Sequence, residues 1–237
     1  MKRFANFCLI GLALCFFSPH TRAQTPTRET MRQEMADLRA KMRSLEIAYL
    51  QPAEEDKKLH AEFLQQPNTG FIYLLPREIY DHTGSSVRGG GAYYSFARRA
   101  HEYGSGSDLE LQQGYLSVGF AGANYGYLVK LGDIPMETVS AKNEAAQFLV
   151  MHQPPTEEPK ARLEQQRANE GVTVGGYLYQ RRFLARANTT YLVRSVNYEF
   201  SDVLVAFRIV RVDNDDSLTI LWKLLEKYPT PRLERNR

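Results

Sequence analysis

Residues 203–212, VLVAFRIVRV, are apolar on both faces of an extended strand. Val203, Val205, Phe207 and Ile209 fall on one face, and Leu204, Ala206, Val210 and Val212 on the other. Successive strand side chains point to opposite faces, so this strand has no face to offer water and needs a packed layer on each side. It is the middle one of three β-prone runs, TYLVRSVNYEF, DVLVAFRIVRVD and SLTILWKLLEKY, separated by Ser-Asp and Asn-Asp-Asp. Asn214 and Asp215 tolerate the left-handed conformation of a tight turn, so the second and third runs are expected to form a hairpin. Helices from elsewhere in the chain must supply a covering layer. The predicted class is therefore α+β: antiparallel sheet or sheets with covering helices and an N-terminal helical arm.

The arm is placed at residues 24–66. Met31, Met35, Leu38, Met42, Leu45 and Tyr49 recur at spacings of four, three, four, three and four, between charged residues such as Glu34, Arg39, Lys41 and Glu46. That is a heptad seam. No Gly or Pro interrupts residues 27–51, and Pro52 ends or kinks the helix. The seam fits a short coiled coil that joins chains through residues 27–51; it also fits an amphipathic helix lying on its own domain. Methionines specify partners poorly and the helix is short for an autonomous coiled coil, so the sequence leaves both open.

Residues 67–152 read as a Gly/Tyr-rich β segment with one helix. GFIYLLP (70–76), AYYSFA (92–97) and YGYLVKLG (125–132) are short strands. In DLELQQGYLSVGF the apolar phase moves from odd Leu109 and Leu111 to even Leu116, Val118 and Phe120. A period of two cannot slip inside a regular strand, so Gly114 marks a turn or bulge. Residues 141–152 read as a helix. Residues 153–171 contain Pro154, Pro155 and Pro159, then a helix capped by Thr156 and ended by Gly171. Beyond Leu163 that helix has almost no apolar face, so the stretch reads as a solvated arm or mobile connector. Residues 172–228 complete the core as an antiparallel meander, and 229–237 form a flexible tail.

The first residues address the chain. Lys2 and Arg3 precede an apolar run from Phe7 to Phe17, Pro19 breaks it, and Thr21-Arg22-Ala23 ends in a small residue. This is the pattern of a secretory signal (1–23) cleaved after Ala23, which predicts a periplasmic or secreted protein. The apolar run is shorter than the roughly 20 residues a bilayer span requires, and no later stretch is apolar enough to make one. A lipoprotein reading at Cys15 is disfavoured by the bulky Leu14 before it. The chain has 30 Lys and Arg against 27 Asp and Glu; residues 1–23 hold three of the basic and none of the acidic ones, so 27 of each remain. A net charge of zero gives no footing to nucleic-acid binding. Cys8 and Cys15 both leave with the signal, which excludes a disulfide, a thiolate metal ligand and a cysteine nucleophile from the processed chain.

Candidate chemistry gathers around VRGGGAYYSFARRAHEYGS (87–105). His101-Glu102-Tyr103-Gly104-Ser105 opens like a zinc-protease motif, but Ser105 stands where the second histidine belongs, so no metal site is expected. His60, His82, His101 and His152 remain after processing. Asp81-His82 and His101-Glu102 are the pairs available for acid–base work, which makes a hydrolase built on His82, His101 and Glu102 the alternative function. Ser117 in YLSVG lacks the first glycine of a nucleophile elbow, and no serine is followed three residues later by lysine. Gly89-Gly90-Gly91 lacks the Gly-Lys-Ser/Thr end of a phosphate loop, and Gly119 to Gly122 lacks the dinucleotide fingerprint, so no cofactor is implied. Asp213, Asp215 and Ser217 begin with calcium-loop spacing without its glycine and distal glutamate. The glycines read as turns of a small sheet. As a binding surface, Tyr93, Tyr94 and Tyr103 would offer flat faces, and Arg88, Arg98 and Arg99 forked donors.

The segments RGGGAYYSF, LQQGYLSVGFAGANYG and DVLVAFRIV with TILWKLLEKYP resemble parts of exported bacterial proteins that carry no assigned activity. The likeness spans about residues 60–230. It implies an exported bacterial setting and no functional residue. The resulting expectation is a non-catalytic binding or assembly module of the cell envelope, with an envelope partner or ligand and self-association through residues 27–51.

Overall fold

A computed structural model describes residues 26–79, 87 and 89–234. Residues 1–25, where the sequence predicts a leader and its cleavage site, and His82 and Arg88 lie outside these residues. The chain divides into two compact units, residues 1–38 and 39–237. Of the first unit the described part is residues 26–38, which hold the N-terminal half of α1 (Arg28–Tyr49). Thr27 caps this helix, accepting the Thr30 N–H on Oγ1 at 3.2 Å.

The second unit carries α2 (Glu54–Leu59), α3 (Ala61–Leu64), α4 (Gln147–Met151) and α5 (Glu158–Glu170). Its strands are β1 (Thr69–Leu74), β2 (Tyr93–Tyr94), β3 (Leu109–Gln112), β4 (Tyr115–Ser117), β5 (Tyr125–Gly132) and β6 (Val172–Val174). They continue with β7 (Tyr177–Gln180), β8 (Arg182–Leu184), β9 (Thr189–Asn197), β10 (Ser201–Val212) and β11 (Leu218–Lys227). Seven strands form one sheet in the order β1-β11-β10-β9-β5-β7-β6, and four form a second in the order β2-β3-β4-β8. Every pairing among them is antiparallel. The class is α+β.

The two-sided apolarity of β10 sets the layering. Its odd-numbered residues Val203, Val205, Phe207 and Ile209 join a core with Tyr94, Leu109, Leu111 and Leu116 of the small sheet and Phe96 of the turn after β2. Phe207 stacks on Tyr191 with ring centres 5.1 Å apart. Leu204 and Ala206, on the other face, pack in a second core with Phe63 of α3, Leu149 of α4 and Ala161 and Ala168 of α5. The second layer that the sequence demands is thus a sheet on one side and helices on the other. Burying a side chain such as Phe207 contributes about 1.5–3 kcal/mol.

The phase slip around Gly114 is the β3–β4 turn: Gln112 pairs with Tyr115, and Gln113 and Gly114 both have positive φ (51° and 72°). That combination matches the right-handed twist of a two-residue hairpin. The Asn214-Asp215 turn also forms, with Asp216 N–H bonded to the Asp213 carbonyl at 3.0 Å and Asp216 at φ 64°.

Several expectations are corrected. Ser201-Asp202 is not a turn; it opens β10, and the reversal is Tyr198–Phe200. Asp202 is buried because it is the partner of Arg194. Residues 153–171 are not a solvated connector. α5 buries Ala161 and Ala168 against the large sheet, while Leu163 is 58% exposed. The buried face is made of alanines, since only small side chains let the helix backbone approach Tyr127, whose hydroxyl donates to Glu164 at 2.7 Å. Glu157, not Thr156, is the residue before the first turn, and Gly171 ends the helix at φ 84° as expected. Residues 229–234 are held rather than loose: Glu199 N–H bonds the Pro231 carbonyl at 2.9 Å, and Glu234 N–H the Thr156 carbonyl at 2.7 Å. The blocks 67–152 and 172–228 interleave in both sheets, because β1 pairs with β11, β5 with β9 and β4 with β8.

Candidate functional site

The C-terminal turn of α1 is pinned to the edge of the large sheet. Glu46 Oε2 accepts the Val87 N–H at 2.6 Å, Tyr49 meets Tyr73 edge to face at 6.3 Å, and Leu50 packs with Leu75 and Val87. Between this turn and the sheet lies a cleft of about 330 Å³. One wall is Arg43, Ile47 and Leu50; the floor is Phe71 and Ile72 of β1 with Tyr94 of β2; the far wall is Arg99, Ala100 and His101. Among the described residues no carboxylate lines it.

Local chain geometry places the far wall. Gly89, Gly90 and Gly91 all have positive φ (76°, 55° and 85°), and a Cβ on Gly91 would lie 2.3 Å from Leu50 Cδ2. The three glycines are a turn, as expected, and their small size lets α1 come close. Ser95 and Ala100 close the next turn with two backbone bonds of 2.9 and 3.2 Å, and inside it Arg99 is left-handed at φ 55°. The Arg99 guanidinium lies 5.6 Å over the Trp222 ring and donates to Asn68 Oδ1 at 3.3 Å. His101 Nδ1 donates to the Tyr93 carbonyl at 3.2 Å. Burial pulls its pKa down to about 4 against the carbonyls of Tyr93, Gly91 and Leu50, so the imidazole is neutral at neutral pH.

The residues predicted from sequence are scattered. Of the proposed binding set, Tyr94 lines the cleft, and Arg99 from the neighbouring arginine pair does too. Tyr93 and Tyr94 are 3% and 5% exposed, so neither offers a flat face to solvent. The physical reason is strand alternation between two packed faces. Tyr94 turns into the inter-sheet core beside Phe96 and Trp222, and Tyr93 is covered on the other side by Tyr103 at 4.8 Å and Phe120 at 5.3 Å. Tyr103 is 45% exposed. Arg98 pairs with Glu102 and lies over Phe200 at 5.8 Å, outside the cleft. Glu102 pairs with Arg98 and does not line the cleft beside His101. Among the described residues no group of three or more His, Cys, Asp or Glu is placed to hold a metal ion.

Sequence reasoning missed Arg43 and the apolar floor. Arg43 and Arg99 share a cleft only because the C-terminal turn of α1 packs beside β1, which no local pattern in the sequence signals.

Two other polar clusters are internally satisfied. Glu110, 5% exposed, accepts from the Tyr93 hydroxyl at 2.6 Å and the Ser117 hydroxyl at 3.1 Å, with Arg77 3.5 Å away. This ties Ser117 into a hydrogen-bond network. Arg194 pairs with Asp202, and the Tyr125 hydroxyl and His152 Nε2 are hydrogen-bonded at 2.7 Å. Burial depresses the pKa of His152 to about 4.

No protein-family model matches the chain, and no curated protein and no solved structure does either.

Proposed function

We propose that the chain is exported, loses residues 1–23, and works as a non-catalytic, self-assembling module of the cell envelope, with α1 as the assembly element. One observation carries the reading. The six seam residues Met31, Met35, Leu38, Met42, Leu45 and Tyr49 are all 42–63% exposed along a 22-residue helix that buries none of its residues. An apolar stripe of this length left in water is the feature that marks an association surface. With Met35, Met42 and Tyr49 at a and Met31, Leu38 and Leu45 at d, Glu34 occupies g and Arg39 occupies e. Parallel pairing then sets Glu34 of one copy opposite Arg39 of the other, whereas antiparallel pairing about the seam centre sets Arg39 against Arg39. The favoured assembly is a parallel dimer.

Sedimentation equilibrium on residues 24–237 tests it. The dimer mass is expected, with a Leu38→Glu/Leu45→Glu double variant sedimenting as a monomer and unfolding at the same urea concentration when compared at equal monomer fraction. A monomer at every soluble concentration overturns the assembly reading. Export is tested separately: the protein recovered from the envelope or medium should begin at Gln24, and a retained leader in the cytosol overturns that part.

A further inference from the structure

We infer that the cleft between the end of α1 and β1 binds an apolar ligand carrying one carboxylate, with Arg43 and Arg99 pairing the anion and Phe71 and Ile72 receiving the chain. This goes beyond the assembly reading and does not require it, since the whole cleft lies within residues 39–237.

Three independent observations converge. The first is size: about 330 Å³ falls within the range of small-molecule sites, roughly 300–1,000 Å³. The second is charge: two arginines, Arg43 and Arg99, line the cleft, no carboxylate lines it among the described residues, and its half-buried histidine gives its Nδ1–H to the Tyr93 carbonyl. Among these lining residues a cationic ligand would meet only like charge, and a neutral one would leave the arginines unused. Guanidinium is the side chain that matches a carboxylate with two parallel donors. Arg43 makes no ion pair with any described acidic residue, and Arg99 has spent one donor on Asn68. The third is placement: the Ser95–Ala100 turn holds Arg99 left-handed at φ 55°, and its guanidinium is fixed over Trp222 with one donor on Asn68. The apolar floor excludes a small hydrated anion such as sulfate as the preferred occupant, because Phe71 and Ile72 would be left facing an ion that retains its water.

The single tryptophan of the chain, Trp222, provides the readout, because the Arg99 guanidinium lies over its ring. The full processed chain is titrated with octanoate, and with octanol, octylammonium and sulfate in parallel, below any aggregation of the amphiphiles. Octanoate is expected to change Trp222 emission saturably, and the other three to bind at least tenfold more weakly or not at all. A C-terminally apolar tripeptide, with and without an amidated end, tells a peptide carboxylate from an acyl chain; either free carboxylate supports the assignment. Arg99→Gly suits the local backbone and removes the guanidinium, and Arg43→Ala lies on an exposed helix face, so both variants should fold. Isothermal titration of octanoate should show each losing about tenfold in affinity, and the double variant more. Equal binding of octanol and octanoate, tighter binding of octylammonium or sulfate, no saturable binding of any carboxylate, or unchanged octanoate affinity in the double variant overturns the inference.

Discussion

Arg194 Nη2 donates to Asp202 Oδ2 at 2.8 Å across the β9–β10 pair, and the two side chains are 1% and 2% exposed. The guanidinium also donates to the Leu149 carbonyl of α4 at 2.8 Å and lies 3.3 Å over the Tyr228 ring. The pair thus joins the central strands to the helical layer and to the end of β11. A buried pair is weak evidence of net stabilisation, but removing one member leaves the other charged and dry. Asp202→Ala should cost about 3–5 kcal/mol in urea denaturation. Arg194→Met/Asp202→Leu should cost clearly less than the sum of the single changes, because it leaves no orphan charge. A strictly additive cycle would show that the pair acts as two independent side chains.

Two glycines three residues apart should behave differently. Gly119 has φ 66° and a Cβ there would lie 2.3 Å from Tyr125 Cα, whereas Gly122 has φ 58° with open space around it. Gly122→Ala carries only the conformational penalty of a left-handed alanine, about 1 kcal/mol. Gly119→Ala adds a backbone clash that no rotamer relieves, so β4 and β5 must separate. Thermal unfolding should show a small loss for Gly122→Ala and a much larger one for Gly119→Ala. Equal losses would mean that the chain absorbs the contact.

α5 inverts the usual rule that large apolar residues face the core. Leu163 is 58% exposed, and Ala161 is fully buried. Leu163→Ala should change stability by less than about 0.5 kcal/mol, while Ala161→Leu overpacks the helix–sheet contact and should cost about 1–3 kcal/mol. Urea midpoints of the two variants decide it; a larger effect at Leu163 would place the helix with its other face inward.

The same helix shows where a single sequence stops being readable. Apolar periodicity reports large side chains, so β10, the slip at Gly114 and the α1 seam were legible, each from a repeat within a few residues. Ala161 and Ala168 give no such signal, because small size is also what a solvated helix tolerates. Asp202 read as turn chemistry, since Ser-Asp favours turns and the partner that makes its burial possible, Arg194, shows only in the pairing of β9 with β10. The small sheet's role as a covering layer was likewise invisible, because short strands look alike whether they cap a core or edge it. The cleft joins Arg43 to Arg99 through the docking of α1, and the aromatic-arginine cluster that local sequence suggested is divided by strand alternation between the inter-sheet core, Glu110 and the surface. Arg99 was visible as a donor, but nothing near it in the chain marks Phe71 and Ile72 as its floor.

Acid should weaken the fold through two histidines. Burial lowers His101 and His152 from 6.5 to about 4, so the unfolded chain binds protons on them more readily than the native one. Their contribution is complete above pH 6.5 and is lost as pH falls toward 4, at roughly 1–3 kcal/mol each. Asp108 opposes this. Burial raises its carboxyl to about 6 despite hydrogen bonds from Ser195 and from the Ala97 and Phe96 amides, so its protonation favours the native state below that pH. Burial also lowers His60 and raises the Asp202 carboxyl, two shifts that act in opposite directions; the two deeply shifted histidines outweigh Asp108, and the wild-type urea midpoint should fall between pH 6.5 and 4. His152→Gln, which keeps an acceptor for the Tyr125 hydroxyl, and His101→Gln should each flatten the decline, while Asp108→Asn should steepen it. A wild-type midpoint that holds constant or rises over that interval, or glutamine variants with the same slope as the parent, would mean that neither imidazole is held neutral by the fold.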